Sequence, residues 1–231
     1  MKKYSINNDN KIDIYDERWY KFDNDFYPSV TFILNTVSPE GLNYWFKQVG
    51  MNADLILKEA QIIGSEFHRL AEKYIISDSV NFNDIEIANK LAIWLRIKNF
   101  HNFYKKHLSG HNIIAVEEKV FNENYKYAGT IDLITEFEGV TYIWDWKTGK
   151  MVYKDNKAQI SAYAKSFPDK EIEARIVVFP VNPNKQGYTI TKLDKSKIDY
   201  FFQYFLWVKI EFDNTHKKPM FKSLPTKFKK G

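Results

Sequence analysis

Apolar residues recur with a helical period through much of the first half of the chain. From Ala53 to Ile76 they return every three or four positions, which predicts a long amphipathic helix, and a second helix is predicted from Ile85 to Leu108. Shorter helices are indicated from Pro28 to Leu34, with Ser29 as N-cap, and from Ser38 to Val49. This part of the chain is therefore expected to form a helical N-terminal region.

After Gly110 the pattern changes to runs rich in β-branched and aromatic residues, which predict strands. The predicted strands cover Asn112 to Phe121, Tyr127 to Glu136, Val140 to Lys147, Ile172 to Val181 and Tyr188 to Lys192. A helix from Asn156 to Phe167 interrupts them, and an aromatic helix from Ser196 to Phe212 follows. Trp144 and Trp146 alternate along one strand and are expected in the core. This order of elements predicts an α/β fold with a small mixed sheet.

The length of 231 residues suits one large domain, and 44% hydrophobic and 17% aromatic residues are typical of a globular protein. We expect a single domain over 1–231. Its parts are a helical region at 27–110, a mixed-sheet core at 111–192, a closing helix at 194–215 and a basic tail at 216–231.

Composition narrows the chemistry and the partners. The chain has no cysteine, which excludes disulfides, thiol nucleophiles, iron–sulfur clusters and cysteine-bound zinc. No apolar run approaches a membrane span and the N-terminus lacks a signal-peptide core, so we expect a cytoplasmic protein without a membrane partner. The net charge is +5, and the lysine-rich tail from His216 favours a polyanionic partner.

The segment from Gly129 to Gly149 carries the strongest chemical signal. Because successive side chains of a strand point to opposite faces, Asp145 and Lys147 share one face of their predicted strand. The polar residues at 136–139 predict a hairpin turn, which would bring Asp132 alongside Asp145. Oxygen atoms are the ligands that Mg²⁺ prefers, and a lysine beside them can position an attacking water. This arrangement suits a metal-dependent phosphodiesterase centre.

Other residues could complete such a site. His68 lies in the long predicted helix, where an imidazole could bind the metal or contact a phosphate. Gln159 and Tyr163 are four residues apart in a later helix and therefore face the same way. In the strand from Asn112 to Phe121, parity places Glu118 on the apolar face and Glu117 on the solvated face.

Together these motifs resemble the RecB-like branch of the PD-(D/E)xK nuclease superfamily. The branch pattern is a helical histidine, an aspartate after a glycine, a D/E-x-K strand and a Q-x-x-x-Y helix. In this chain it stands, in that order, as His68, Gly129-Thr130-Ile131-Asp132, Asp145-Trp146-Lys147 and Gln159-Ile160-Ser161-Ala162-Tyr163. Within the branch the chain is most similar to the mitochondrial genome maintenance exonuclease group and its viral and bacterial relatives. That likeness covers roughly Tyr27 to Phe167 and includes Pro28-Ser29-Val30-Thr31 and Ile143-Trp144-Asp145-Trp146-Lys147-Thr148.

The resemblance implies a restriction-endonuclease-like core, which is a small mixed sheet flanked by helices. It implies a DNA nuclease that depends on Mg²⁺ or Mn²⁺ and belongs to the members without an iron–sulfur cluster. The expected activity is that of a single-strand exonuclease in replication, repair or recombination. Its expected partners are single-stranded DNA and a helicase or single-strand-binding protein that exposes the strand.

The resemblance also implies a role for each matching residue. Asp132 and Asp145 would hold the metal with His68 as an additional ligand, and Lys147 would serve the attacking water. Residues that would support the site are Gln159 and Tyr163, and residues that would approach backbone phosphates are Ser29 and Thr31.

Two questions stay open at this point. The family carries a further glutamate on the preceding strand, and spacing to Gly129 favours Glu117 whereas strand parity favours Glu118. A duplex-cutting endonuclease and a non-catalytic nucleic-acid-binding protein of the same fold are the alternative functions.

Overall fold

The computed structural model describes residues 4–6, 11–14, 17–22, 25–37, 50–77, 79–83, 85, 87–168 and 170–216. The helix predicted from Ser38 to Val49 and the tail beyond His216 lie outside these residues. Within them the chain has an α/β fold, in which helices pack on a five-stranded mixed sheet.

The first described elements are strands rather than helices. They are β1 (Tyr4–Ile6), β2 (Lys11–Ile14), β3 (Glu17–Phe22) and β4 (Asp25–Pro28), which form an antiparallel sheet in chain order. Helix α1 (Val30–Leu34) begins only after this sheet, with Ser29 as its N-cap as predicted. A helical N-terminal region is therefore not supported.

Two long helices follow the short 3₁₀ helix Gly50–Asn52. They are α2 (Ala53–Ser77) and α3 (Ile87–His107), and both begin and end close to their predicted bounds. The ring of Phe67 on α2 meets that of Phe100 on α3, which in turn meets the indole of Trp146 on the sheet. No helix in the described part of the chain is both long and apolar enough to cross a membrane.

The central sheet consists of β5 (Asn112–Asn122), β6 (Tyr127–Phe137), β7 (Val140–Lys147), β8 (Ile172–Val178) and β9 (Thr189–Leu193), in that order. Neighbouring strands are antiparallel except β7 and β8, which are parallel. Because a parallel pair needs a crossover, helix α4 (Lys154–Ala164) connects β7 to β8. Helix α5 (Lys195–Thr215) follows β9. The predicted α/β class and mixed sheet are confirmed.

Alternation along β7 divides the core into two layers. Trp144 and Trp146 are buried on the side of α2 and α3, so their predicted place in the core is confirmed. Ile143 is buried on the other side, in a cluster to which α1, α4 and α5 contribute. Asp145 shares the face of Ile143 and is only 3% exposed. A carboxylate is thus buried in an otherwise apolar layer, which requires compensating partners.

Candidate metal centre

The β6–β7 hairpin places Asp132 beside β7, as predicted. The chain turns at Gly139, whose φ of 79° suits the tight turn of a two-residue hairpin. Backbone pairing of the two strands reaches Leu133 and Trp144. Asp132 directly precedes Leu133, and its Oδ2 accepts a hydrogen bond of 2.6 Å from the backbone N–H of Trp146. The carboxylate therefore takes the place of a backbone acceptor where the ladder ends.

His68 of α2 contacts the same carboxylate from the side of the sheet that α2 and α3 cover. Its Nδ1 lies 3.2 Å from Oδ1 of Asp132. Burial disfavours the charged imidazole, but the carboxylate outweighs burial and raises the pKa of His68 above its usual value. Burial likewise opposes ionisation of Asp132, yet His68 holds the pKa of that carboxyl below its usual range. Each side chain therefore favours the charged form of the other.

Glu117 of β5 completes this group. The register pairs Val116 with Leu133 and Glu118 with Ile131, which leaves Glu117 opposite the aspartate of β6. One ligand atom each from His68, Glu117 and Asp132 lies within 4.8 Å of the other two. Glu118 is exposed to solvent. Of the two glutamates left open by the sequence, the structure brings Glu117 to the site.

Strand parity placed the two glutamates wrongly because β5 does not alternate regularly. Val116 and Val120 would share a face in a regular strand, yet Val116 packs on the α2–α3 side and Val120 is buried in the opposite layer. Between them, Glu117 has a φ of 51°, which is unusual for a residue with a side chain. Such strained backbone is concentrated at functional sites, where surrounding structure holds it in place.

Asp145 and Lys147 form a pair on one face of β7, as predicted. Nζ of Lys147 donates a 2.9 Å hydrogen bond to Oδ1 of Asp145. It also lies 2.7 Å from Oδ2, which is buried and accepts no well-directed hydrogen bond in the described part of the structure. Burial raises the pKa of Asp145 to about 6, although the Lys147 ammonium has the opposite effect and lowers this pKa. The nearby carboxylate of Asp132 raises it further.

The donor set could hold a metal ion. Two carboxylates and one imidazole converge, and oxygen-rich sites with an additional nitrogen suit divalent cations such as Mg²⁺ and Mn²⁺. Asp145 was expected among the ligands, but it does not belong to the group formed by His68, Glu117 and Asp132. Its Oδ2 still lacks a directed hydrogen bond, which is the condition of a buried oxygen that can accept a further cationic partner.

Gln159 and Tyr163 lie behind the centre on α4. Both are buried, and Nε2 of Gln159 donates a 3.0 Å hydrogen bond to Oη of Tyr163. The ring of Tyr163 packs directly on Gly129 of β6, where an added Cβ would lie 2.2 Å from Cε1. Burial raises the pKa of Tyr163 well above its usual value, and Asp145 adds to this effect. The pair therefore supports β6 just before its aspartate.

Ser29 and Thr31 are not brought into the group of three. Oγ of Ser29 accepts a 3.0 Å hydrogen bond from the backbone N–H of Phe32 and lies 3.1 Å from Oγ1 of Thr31. Ser29 also forms an isolated backbone bridge with Ala128 at the start of β6. Its buried hydroxyl caps α1, whereas Thr31 is half-buried. Their predicted contact with phosphate stays a prediction.

Tyr20 is a neighbour of the centre that the sequence did not indicate. This buried residue of β3 places its hydroxyl 2.9 Å from Oγ1 of Thr130, two residues before Asp132. It also contributes to the raised pKa of Tyr163. Tyr20 belongs to none of the sequence motifs, so no sequence pattern could have identified it as a neighbour of the centre.

No known protein family matches the chain, and no curated protein matches it significantly. Among solved structures, one described as "Crystal structure of SSO0001" is similar over 62% of this chain and 68% of that chain, with 15% identity and a TM-score of 0.29. A likeness of this strength carries no argument about fold or function.

Proposed function

We propose that the protein is a metal-dependent deoxyribonuclease that hydrolyses phosphodiester bonds, with a restriction-endonuclease-like core. The observation that carries the proposal is the convergence of His68, Glu117 and Asp132 within 4.8 Å, beside an ammonium group on the adjacent strand. Three metal-binding side chains from α2, β5 and β6 meet at a strained backbone position. This is an arrangement that packing alone does not require.

The side chains divide the chemical work. Bound Mg²⁺ or Mn²⁺ would polarise the scissile phosphate and favour hydroxide formation near neutral pH. Lys147, which Asp145 orients, is positioned to hold the attacking water and to offset charge that develops on the phosphate. Gln159 and Tyr163 fix the strand that carries Asp132.

A single-strand exonuclease is the specific activity we propose. Support comes from the ordered motif series, from His68 through the D-x-K strand to Gln159 and Tyr163, which resembles the exonuclease members of the RecB-like branch. Single-stranded DNA would be the substrate. A helicase or single-strand-binding protein would supply it in replication, repair or recombination.

Cleavage of linear and circular single-stranded DNA, in Mg²⁺, Mn²⁺ and EDTA, tests the proposal. We expect metal-dependent loss of the linear substrate, little loss of the circular one, and no activity after Lys147→Ala. Lys170→Ala removes an exposed lysine after α4 and serves as the matched control. Undiminished cleavage by Lys147→Ala, or none by the wild type with either metal, would overturn the proposal.

Two other outcomes identify the alternatives. Cleavage of closed circular duplex would indicate an endonuclease. Salt-sensitive DNA binding without cleavage, unchanged by Asp145→Ala, would indicate a non-catalytic binding protein.

A further inference from the structure

Arg96 of α3 is a buried cation without an acidic partner among the described residues. Only 4% of its surface is exposed. Nη1 donates a 2.9 Å hydrogen bond to the backbone carbonyl of Ala92, and Nη2 lies 3.5 Å from that of Thr148. Nε is buried and has no hydrogen-bond partner in the described part of the chain.

This arrangement of Arg96 destabilises the folded protein when no ligand is bound. A buried charge without a counter-ion costs several kcal/mol, and two carbonyl contacts compensate only in part. The neighbouring helical residues Ile93, Ile97 and Phe100 are buried and apolar, so an apolar side chain would fit the same layer. Burial lowers the pKa of Arg96, and no acidic group is among the causes of that shift.

The guanidinium lies near the C-terminal end of β7, the strand that carries Asp145 and Lys147. Thr148, which it contacts, directly follows the lysine at the end of β7. Gly64 of α2 also lies next to Thr148, since an added Cβ at Gly64 would lie 3.5 Å from Oγ1 of Thr148. Gly64 precedes His68 by about one helical turn. Arg96 and His68, the candidate metal ligand on α2, therefore lie toward the same end of β7.

A groove lies between α2 and α3. It has a volume of about 510 Å³ and is lined, among the described residues, by Lys58, Gln61, Ile62, Ser65, Glu66, Ile85, Asn89 and Ile93. Asn89, Ile93 and Arg96 follow one another at helical spacing, so they share a face of α3. Arg96 therefore lies on the face of α3 that forms the groove wall, about one helical turn beyond Ile93.

We propose that Arg96 binds a backbone phosphate of the nucleic-acid strand next to the scissile bond, an inference that rests on the proposed nuclease function. A phosphate supplies the counter-ion that the fold lacks, and a guanidinium can donate to it with two parallel N–H groups. The 3.5 Å contact with Thr148 is at the limit of a hydrogen bond and is readily exchanged for a phosphate oxygen. Thr148 is half-exposed and Gly149 is exposed, which leaves an approach from the loop after β7.

The salt dependence of oligothymidylate binding in EDTA tests this role. Loss of one phosphate contact lowers the slope of log affinity against log salt by about 0.7 for a single strand. We expect this loss in Arg96→Met, and retention of the slope in Arg96→Lys with weaker binding because lysine lacks the fork. Lys98→Met removes an exposed charge from the same helix and should leave the slope close to that of the wild type.

Unfolding without DNA separates a phosphate-binding role from a structural one. Arg96→Met should be at least as stable as the wild type, since it removes a buried unpaired charge. An unchanged salt slope in Arg96→Met would overturn the inference while leaving the nuclease proposal intact. Absence of oligothymidylate binding by the wild type in EDTA would overturn the inference, and it would overturn the nuclease proposal as well only if cleavage in Mg²⁺ and Mn²⁺ were also absent.

Discussion

The imidazole of His68 on α2 touches the carboxylate of Asp132 on β6, with Nδ1 3.2 Å from Oδ1. The other oxygen of Asp132 accepts the backbone N–H of Trp146. The carboxylate of Asp132 thus links helix α2 to the backbone of β7, where the pairing of β6 and β7 ends. Its replacement would disturb the proposed metal site and the strand alignment together, so variants of its partners separate the two effects better.

Removal of His68 should change how stability depends on pH in EDTA. The pKa of His68 is raised above 6.5, because Asp132 outweighs the burial that lowers it. The stabilisation is therefore complete below about pH 6.5 and is lost as the pH rises through the folded pKa. The free energy of urea unfolding should fall across this window for the wild type and stay flat for His68→Gln. Equal slopes would contradict the pairing.

His107 and His111 do not contribute to this decrease in stability. Burial lowers the pKa of His107 and of His111. A lowered histidine pKa costs stability as the pH falls below the unfolded value, so both residues act below about pH 6.5. Neither residue therefore accounts for a decrease in stability above that pH.

Glu117→Gln should weaken metal-dependent cleavage, whereas Glu118→Gln should not. Only the first residue contributes a ligand atom to the group with His68 and Asp132. We expect at least about a 10-fold loss of activity at limiting metal, the loss typical of residues that only support a metal site. Partial recovery at high Mn²⁺ would identify the defect as metal binding. Equal effects of the two substitutions would contradict the assignment.

The choice between these glutamates shows where sequence reasoning stops. Periodicity predicted α2, α3 and β5 to β9 correctly, and the parity of Asp145 and Lys147 holds along β7. Parity fails in β5 because the positive φ of Glu117 interrupts alternation. Nothing in single-residue patterns signals such a conformation at a glutamate.

Contacts between elements that are distant in the sequence could not be predicted from the sequence pattern either. The strands β1 to β4 have only three to six residues each, and runs this short carry little periodic signal. Tyr20 and Arg96 lie in no motif, and their positions depend on how β3 and α3 pack. The motif residues could be predicted because their spacing repeats a known pattern, whereas these neighbours follow from tertiary packing.

Gly129→Ala should destabilise the fold through Tyr163. A Cβ at this position would lie 2.2 Å from Cε1 of the tyrosine, so the ring or β6 must move. We expect a loss of about 1–3 kcal/mol in urea unfolding, which is typical of overpacking. Gly149→Ala is the matched control, because its Cβ would meet open space. Combining Gly129→Ala with Tyr163→Leu should recover part of the loss, and additive losses would contradict direct contact.

Asp145→Asn should gain stability relative to the wild type as the pH rises, in the absence of metal. Burial raises the pKa of Asp145 from 3.8 to about 6, although Lys147 opposes the shift. The wild type therefore holds the full contribution of the protonated carboxyl below about pH 3.8 and loses it as the pH approaches 6, whereas asparagine does not titrate. The difference in unfolding free energy should change by roughly 3 kcal/mol in favour of the variant.

The same variant should be inactive, because asparagine cannot hold the Lys147 ammonium as an ion pair. Glu136→Gln changes an exposed carboxylate of the same hairpin and should follow the wild type in both stability and cleavage. Urea unfolding in EDTA between about pH 4 and pH 7 measures the stability difference, and cleavage in Mg²⁺ measures activity. If the variant is inactive but its stability difference from the wild type does not change with pH, Asp145 serves catalysis and the metal-free fold does not disfavour its ionised form.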